Sequence, residues 1–71
     1  MYLKKVSKKD IENYGLNNRI DLLAIGGVWY HKMNENGTKA RNIRNQLLFA
    51  FLAPEALKDA LESGEFTRVE Q

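Results

Sequence analysis

Side chains that could hydrogen-bond to another molecule are concentrated in residues 38–52. Placed on a helix at about 100° per residue, the apolar side chains of this segment share one face: Ala40, Ile43, Leu47, Ala50 and Phe51. The opposite face carries only hydroxyl, amide and guanidinium side chains and no acid: Thr38, Arg41, Asn42, Asn45 and Gln46. Arginine and amide side chains are suited to hydrogen bonding with the edges of nucleic-acid bases.

This face predicts a recognition helix in the major groove of double-stranded DNA. The candidates for base contacts are Thr38, Arg41, Asn42 and Asn45. The candidates for phosphate contacts are basic residues beside that face or near the N-terminus: Lys4, Lys5, Lys8, Lys9, Lys39 and Arg44. The spacing alone is also typical of an ordinary core helix, and lysine-rich N-termini are often simply solvated, so both interpretations stay open.

The N-terminal half is predicted to supply short elements around this helix. Residues 2–6 form a strand or an extended arm, and Ser7 caps a helix over residues 8–14 that Gly15 ends. A second helix starts at residue 17 or 18, and Gly26-Gly27 is interpreted as its stop or as a close backbone contact. Two short helices joined this tightly are compatible with a helix-turn-helix corner or with another small helical bundle.

The remaining elements follow from strand, turn and breaker residues. Residues 28–33 are predicted to be a strand or an extended segment, and residues 34–37 contain the Asn-Gly turn signal. A hairpin would make Thr38 the start of a return strand, but the 3.6-residue apolar spacing through Leu52 favours the helix. Pro54 opens a last helix.

The predicted fold is therefore mainly α, a helix-turn-helix-like or winged domain of three to four short helices with one extended segment at about 28–33. It occupies residues 1–64 as one domain, with residues 65–71 as a loose tail.

Composition excludes several classes of function. The chain has 71 residues and no cysteine, so disulfides, thiolate metal sites and cysteine nucleophiles are absent. His31 stands alone and is expected to be structural rather than a metal ligand. Trp29 and Tyr30 point to opposite faces of an extended segment, so Trp29 is the expected core anchor and Tyr30 is expected to be partly exposed. No catalytic constellation or phosphate-binding glycine loop is present, so neither an enzyme nor a bound cofactor is expected.

Charge and hydropathy suggest where the protein acts. Residues 1–53 hold nine Lys/Arg and four Asp/Glu, whereas residues 54–71 hold two and five. A basic body suits an anionic partner, although small soluble domains often show similar unevenness. No apolar run is long enough to span a bilayer and no secretory signal is evident, so a cytoplasmic location is expected.

Residues 38–64 resemble a segment of the serine-recombinase and ParB-type helix-turn-helix proteins. The resemblance rests mainly on Ala50-Phe51-Leu52-Ala53-Pro54-Glu55 and on Ala60-Leu61, where a recognition helix runs into the next helix. It implies that residues 38–46 occupy recognition-helix positions. Residues 1–33 show no such match, and residues 28–37 are longer than a tight helix-turn-helix corner.

The predicted function is binding of double-stranded DNA by a small basic protein. A role as a transcription regulator or recombination accessory factor of a phage or mobile element suits the resemblance, and a homodimer on repeated half-sites is compatible with it. The alternative is a protein-binding inhibitor or adaptor, for example phage-encoded, that docks on a host protein with Tyr30 and Phe49 as anchors.

Overall fold

A four-stranded mixed sheet lies at the centre of the molecule. The computed structural model describes residues 1–18 and 23–69. The strands are β1 (Tyr2–Lys5), β2 (Val28–Met33), β3 (Phe49–Leu52) and β4 (Thr67–Arg68), in the spatial order β3-β2-β1-β4. Strand β2 is antiparallel to β1 and β3, and β4 is parallel to β1. Two helices, α1 (Lys8–Asn13) and α2 (Pro54–Glu62), complete the described elements together with a 3-10 turn at Leu16–Asn18.

The fold is thus α/β, and the prediction of a mainly α, helix-turn-helix-like domain is wrong. The largest error falls on residues 38–52, which contain β3 and no helix. The predicted tail also differs, because Thr67 and Arg68 pair with Tyr2 and Leu3 of β1. Within the predicted second helix, residues 19–22 lie outside the described part of the chain.

Local signals placed the other elements correctly. The backbone N–H of Asp10 donates to Ser7 Oγ at 3.1 Å, which caps α1. Gly15 follows with φ +67°, the left-handed conformation expected after a helix. The second described helix, α2, begins at Pro54. The predictions of helices at 8–14 and from 54, and of a strand at 28–33, are confirmed.

One face of the sheet packs against α1 through a cluster of aromatic rings. The register places Trp29 beside Phe51 and His31 beside Phe49 on the same face. The Tyr14 ring, directly after α1, lies 5.4 Å from Phe49 between centroids. Trp29 is buried with Val6 and Leu16, while Ile11, Phe49 and Phe51 pack around them. Trp29 is therefore the core anchor that the sequence predicted.

The other face of the sheet is covered by α2. Strands β3 and β4 are parallel and lie at opposite edges, so α2, which connects them, must cross the sheet. Since α1 occupies the aromatic face, α2 crosses the face that carries Leu3 and Tyr30. Both of these side chains are buried, as is Ala60 of α2. Tyr30 was expected to be partly exposed if Trp29 was buried, and that expectation is wrong.

Gly27 immediately precedes β2, at a point where neighbouring atoms of β3 leave no room for a side chain. A Cβ atom on this residue would lie 2.7 Å from the Leu52 carbonyl oxygen and 2.6 Å from the Phe51 ring. The close approach holds the start of β2 against the end of β3. Gly26-Gly27 was interpreted as a helix stop or a close backbone contact, and for Gly27 the second interpretation is correct.

In the described part of the chain, neither helix is long and apolar enough to cross a membrane.

Candidate nucleic-acid interface

Residues 34–48 form two successive turns in place of a recognition helix. The first turn follows β2, and Gly37 at its end has φ +86°. The Asn34 N–H donates to the Thr38 carbonyl at 2.8 Å, and Met33 then pairs with Lys39 across the turn. The chain thus turns back antiparallel to β2, as in the hairpin alternative, but residues 38–48 form isolated bridges at Lys39 and Arg41 and no strand.

Beyond this turn the chain projects as a short antiparallel ribbon, which we call the distal hairpin (residues 41–47). Arg41 pairs with Leu47, and the Asn42 N–H donates to the Gln46 carbonyl at 2.9 Å. The Asn45 N–H donates to the Asn42 carbonyl at 2.9 Å, which closes a four-residue turn over 42–45. Residues Ile43 and Arg44 stand at its tip.

Backbone hydrogen bonds to one residue of β2 anchor the base of the distal hairpin. The Lys32 N–H donates to the Leu48 carbonyl at 3.0 Å, and the Lys32 carbonyl accepts from the Ala40 N–H at 2.7 Å. Leu48 N–H in turn donates to the Ala40 carbonyl at 3.0 Å. This closed arrangement ties both arms of the hairpin to the sheet, so the position of the tip is set by the core.

Side chains within the distal hairpin hold its turn in a single shape. Asn42 Oδ1 accepts from the backbone N–H groups of Arg44 (2.9 Å) and Gln46 (3.0 Å), and Asn42 Nδ2 donates to Gln46 Oε1. Arg41 Nη1 donates to the Asn45 carbonyl at 2.9 Å. An asparagine that bonds to the backbone two residues ahead is a turn former. Asn42 therefore shapes the tip and has its amide occupied within the hairpin.

Asn45 has a conformational role that its predicted base contact did not include. Its φ of +62° makes it the one described non-glycine residue with a positive φ. Asparagine tolerates this left-handed region better than other residues with a Cβ atom. An asparagine three positions after Asn42 was the sequence signal for such a turn, and the helical interpretation concealed it.

Substitutions of Asn45 should separate this conformational role from base contact. We expect Asn45→Ala to lower the free energy of unfolding by about 1–2 kcal/mol, because the left-handed conformation is less favourable for alanine than for asparagine. Asn45→Gly should unfold at a free energy close to that of the wild type, since glycine adopts this φ freely. Urea denaturation followed by circular dichroism measures both. Equal stability of the two variants would contradict the assignment.

The charged side chains of this region are all basic. Residues 38–54 contain Lys39, Arg41 and Arg44 and no acid. Arg44 and Ile43 are exposed at the tip, and Ile43 is fully exposed. Lys4 faces His31 across the β1–β2 register, and Lys39 also acts electrostatically on His31, so both lysines lie near the aromatic face. Lys8 and Lys9 are exposed on α1, which covers that face.

The acidic side chains of α2 lie across the sheet from this basic region. Glu55, Asp59 and Glu62 are exposed on α2, where Lys58 is the one basic residue. Acidic residues also occur on the other side, since α1 contains Asp10 and Glu12, and the register places Lys5 and Lys32 on the face that α2 crosses. The segment whose charged side chains are all basic is therefore the distal hairpin, and a polyanion would meet least repulsion there.

The other predicted contact residues occupy different positions from those expected. Thr38 Oγ1 donates to Asn36 Oδ1 at 2.6 Å and accepts from Asn34 Nδ2 at 3.0 Å, so it stabilises the first turn. Lys5 is exposed at the end of β1. Tyr30 is 3 % exposed and offers no surface to a partner. Phe49 is half-buried among aromatic rings and packs on β2. The alternative adaptor function therefore loses Tyr30 as an anchor.

His31 is buried in the aromatic cluster at 2 % exposure. Its Nε2 lies 3.9 Å from Asp10 Oδ2, and neither ring nitrogen has a hydrogen-bond partner within the described residues. Burial lowers the pKa of His31 below its ordinary value, and the positive charge of Lys39 lowers it further, against the opposing effect of Asp10. His31 is therefore neutral in the folded protein at pH 7. No group of three or more metal-ligating side chains occurs among the described residues.

The buried His31 should make the fold sensitive to mild acid. Its pKa is lower in the folded than in the unfolded protein, so the unfolded chain takes up the proton first as pH falls below about 6.5. The free energy of unfolding should decrease from pH 7.5 to 5.5, a range in which ordinary carboxylates stay ionised. His31→Phe keeps an aromatic ring and should flatten this dependence. Urea unfolding across that range tests it, and an equal slope in both proteins would contradict it.

No protein-family model, curated protein or solved structure matched this chain. The sequence resemblance over residues 38–64 thus has no independent support, and the recognition helix that it implied is absent from the structure.

Proposed function

We propose that the protein binds double-stranded DNA by placing the distal hairpin in the major groove. The observation that supports this proposal is a pre-shaped hairpin whose charged side chains are all basic. The major groove is wide enough, at about 12 Å, for a two-stranded β-ribbon, and such ribbons are an established means of reading DNA. In this proposal a β-ribbon makes the major-groove contacts that were predicted for a helix.

The basic residues are proposed to make different contacts according to their distance from the tip of the hairpin. Arg44 at the tip is placed to reach base edges or the nearest phosphates, while Lys39 and Arg41 lie nearer the base of the hairpin, where the phosphate backbone would pass. Lys4, Lys8 and Lys9 add positive charge on the α1 side, where Asp10 and Glu12 offset part of it. Asn42 and Asn45 act indirectly by fixing the turn, because a rigid tip loses less entropy on binding.

Salt dependence gives the first test of phosphate binding. Three neutralised phosphates predict a slope of about −2.7 for log K against log salt, which is a loss of about 40-fold in affinity between about 50 and 200 mM. Fluorescence anisotropy with a labelled 20-base-pair duplex of mixed sequence measures this. Absence of binding at the lower salt concentration would refute the proposal.

A pair of charge deletions locates the contact. Arg44→Ala should reduce the magnitude of the salt slope by about one and weaken binding by about tenfold, the effect of one lost charged hydrogen-bonding partner. Lys58→Ala removes the same charge from the acidic α2 side and should leave affinity unchanged. Both residues are exposed, so neither variant should unfold. Equal losses in the two variants would show that binding is not directed by the distal hairpin.

Such binding would suit a transcriptional or recombination accessory factor of a phage or mobile element. A homodimer would place two hairpins on repeated half-sites, and half-site spacing would then report the distance between them. Sedimentation of the free protein and of its duplex complex measures the number of chains bound.

A further inference from the structure

We infer that Ile43 contacts the C5 methyl group of thymine, so that the distal hairpin prefers duplexes with C5-methylated pyrimidines. This inference rests on the proposed function and adds a specificity-determining residue to it. It comes from a side chain that contributes nothing to the core, because Ile43 is fully exposed.

Ile43 is held out by the same bonds that shape the turn. Its two neighbours in the chain are fixed, since Asn42 accepts from the Arg44 N–H and the Arg41 guanidinium bonds to the Asn45 carbonyl. A β-branched side chain also has restricted rotation about χ1. The aliphatic group is therefore presented to a partner in a defined position, at low entropic cost.

The surroundings of Ile43 favour DNA over an apolar protein surface. Within residues 41–46 it is the one apolar side chain, and the others are two arginines, two asparagines and a glutamine. A protein anchor is normally the centre of a larger apolar patch. A single aliphatic group flanked by arginines suits a DNA site, where the aliphatic group can contact one methyl group and the arginines can contact phosphates.

The width of the hairpin favours the major groove over the minor groove of undeformed DNA. Paired strands lie about 5 Å apart, and their side chains make the ribbon wider than the minor groove, which is about 6 Å across. The major groove admits the ribbon, and there the C5 methyl of thymine is the apolar group that a standard base pair exposes. A tip that reaches the floor of the groove places Ile43 against that methyl group and Arg44 beside neighbouring base edges or phosphates.

Removing only the methyl group tests the inference. The wild-type protein is titrated against alternating A-T and A-U duplexes, and against alternating G-C duplexes with cytosine or 5-methylcytosine. Burial of one methyl-sized group is worth about fourfold in affinity. We expect each methylated duplex to bind about fourfold more tightly than its unmethylated counterpart.

Variants of Ile43 distinguish a direct contact from a change in duplex shape. Ile43→Ser should bring both ratios to about one, and Ile43→Val should retain most of the preference. Arg44→Ala should weaken binding to all four duplexes and leave the ratios unchanged. Any effect of the methyl group on duplex shape would act equally on the wild type and on Ile43→Ser, so it cancels in the comparison.

Three outcomes would overturn the inference. The first is measurable binding by the wild type with ratios of about one. The second is a preference that persists in Ile43→Ser. The third is loss of affinity in Ile43→Ser that is equal for methylated and unmethylated duplexes, which would indicate insertion of Ile43 elsewhere. If the wild type binds none of the four duplexes at about 50 mM salt, the proposed function itself fails.

Discussion

Trp29→Ala should remove about 3–5 kcal/mol from the free energy of unfolding, the usual cost of deleting a buried tryptophan. A 71-residue domain has about 4–10 kcal/mol in total, so at the low end of this range much of the population should be unfolded at 25 °C. The reason is the position of Trp29 in the aromatic cluster, where its ring meets Phe49 at 6.3 Å and Phe51 at 5.0 Å between centroids. Loss of this ring leaves a cavity in the cluster against which Ile11 of α1 packs.

Urea unfolding followed by far-ultraviolet circular dichroism measures this effect without relying on tryptophan fluorescence. Ile43→Ala is the matched control, since it deletes an exposed side chain and should change stability by less than about 0.5 kcal/mol. Trp29→Phe should cost less than Trp29→Ala, because it keeps a ring and removes an indole N–H that has no partner among the described residues. A similar stability for Trp29→Ala and Ile43→Ala would contradict the proposed core.

Gly27→Ala should lower the free energy of unfolding by about 1–3 kcal/mol, the cost of forcing extra volume into a packed site. The added methyl group would meet the Leu52 carbonyl, which is backbone and cannot rotate away. Relief requires β2 and β3 to separate where Val28 pairs with Leu52. Because β3 continues directly from the distal hairpin, the same change should also weaken DNA binding.

Gly26→Ala is the appropriate comparison. A Cβ at Gly26 meets nothing within 4 Å, so the only expected cost of this variant is that of its positive φ of +69°. That cost lowers the free energy of unfolding by about 1–2 kcal/mol. Its main effect should be on stability, with little effect on duplex affinity measured under conditions where it remains folded. The two glycines are adjacent in the sequence, yet the structure predicts different consequences. If both variants bind DNA as the wild type does, β3 does not position the hairpin as proposed.

The distal hairpin connects the proposed DNA contact to the core through a short series of contacts. Its base bonds to Lys32 of β2, and its outgoing arm leads into Phe49, which packs on Trp29. The tip itself is stabilised by Asn42 and Arg41 without any contribution from the core. Substitutions of the exposed Ile43 and Arg44 side chains should therefore alter binding alone, whereas substitutions at the base should alter both stability and binding.

The sequence by itself determined the elements that depend on nearby residues. Ser7 with Asp10 marked the start of α1, Gly15 its end, and Pro54 the start of α2, because caps and breakers act within one turn of the chain. The strand at 28–33 followed from its β-branched and aromatic content. The basic composition of residues 38–46 was also visible, and it remains the basis of the functional proposal.

Tertiary structure decided what residues 38–52 become. Phe49–Leu52 is a four-residue apolar run, which periodicity cannot distinguish from part of a helix. The two arms, residues 39–40 and 47–48, are too short to show the alternation of a strand in the sequence. They are recognised as extended only from their backbone hydrogen bonds to Lys32. Strand β4 likewise exists because the far edge of β1 was open to Thr67. Pairing between distant segments has no local signature, and it placed the candidate arginines on a hairpin instead of a helix, with Arg44 at the tip and Arg41 nearer the base.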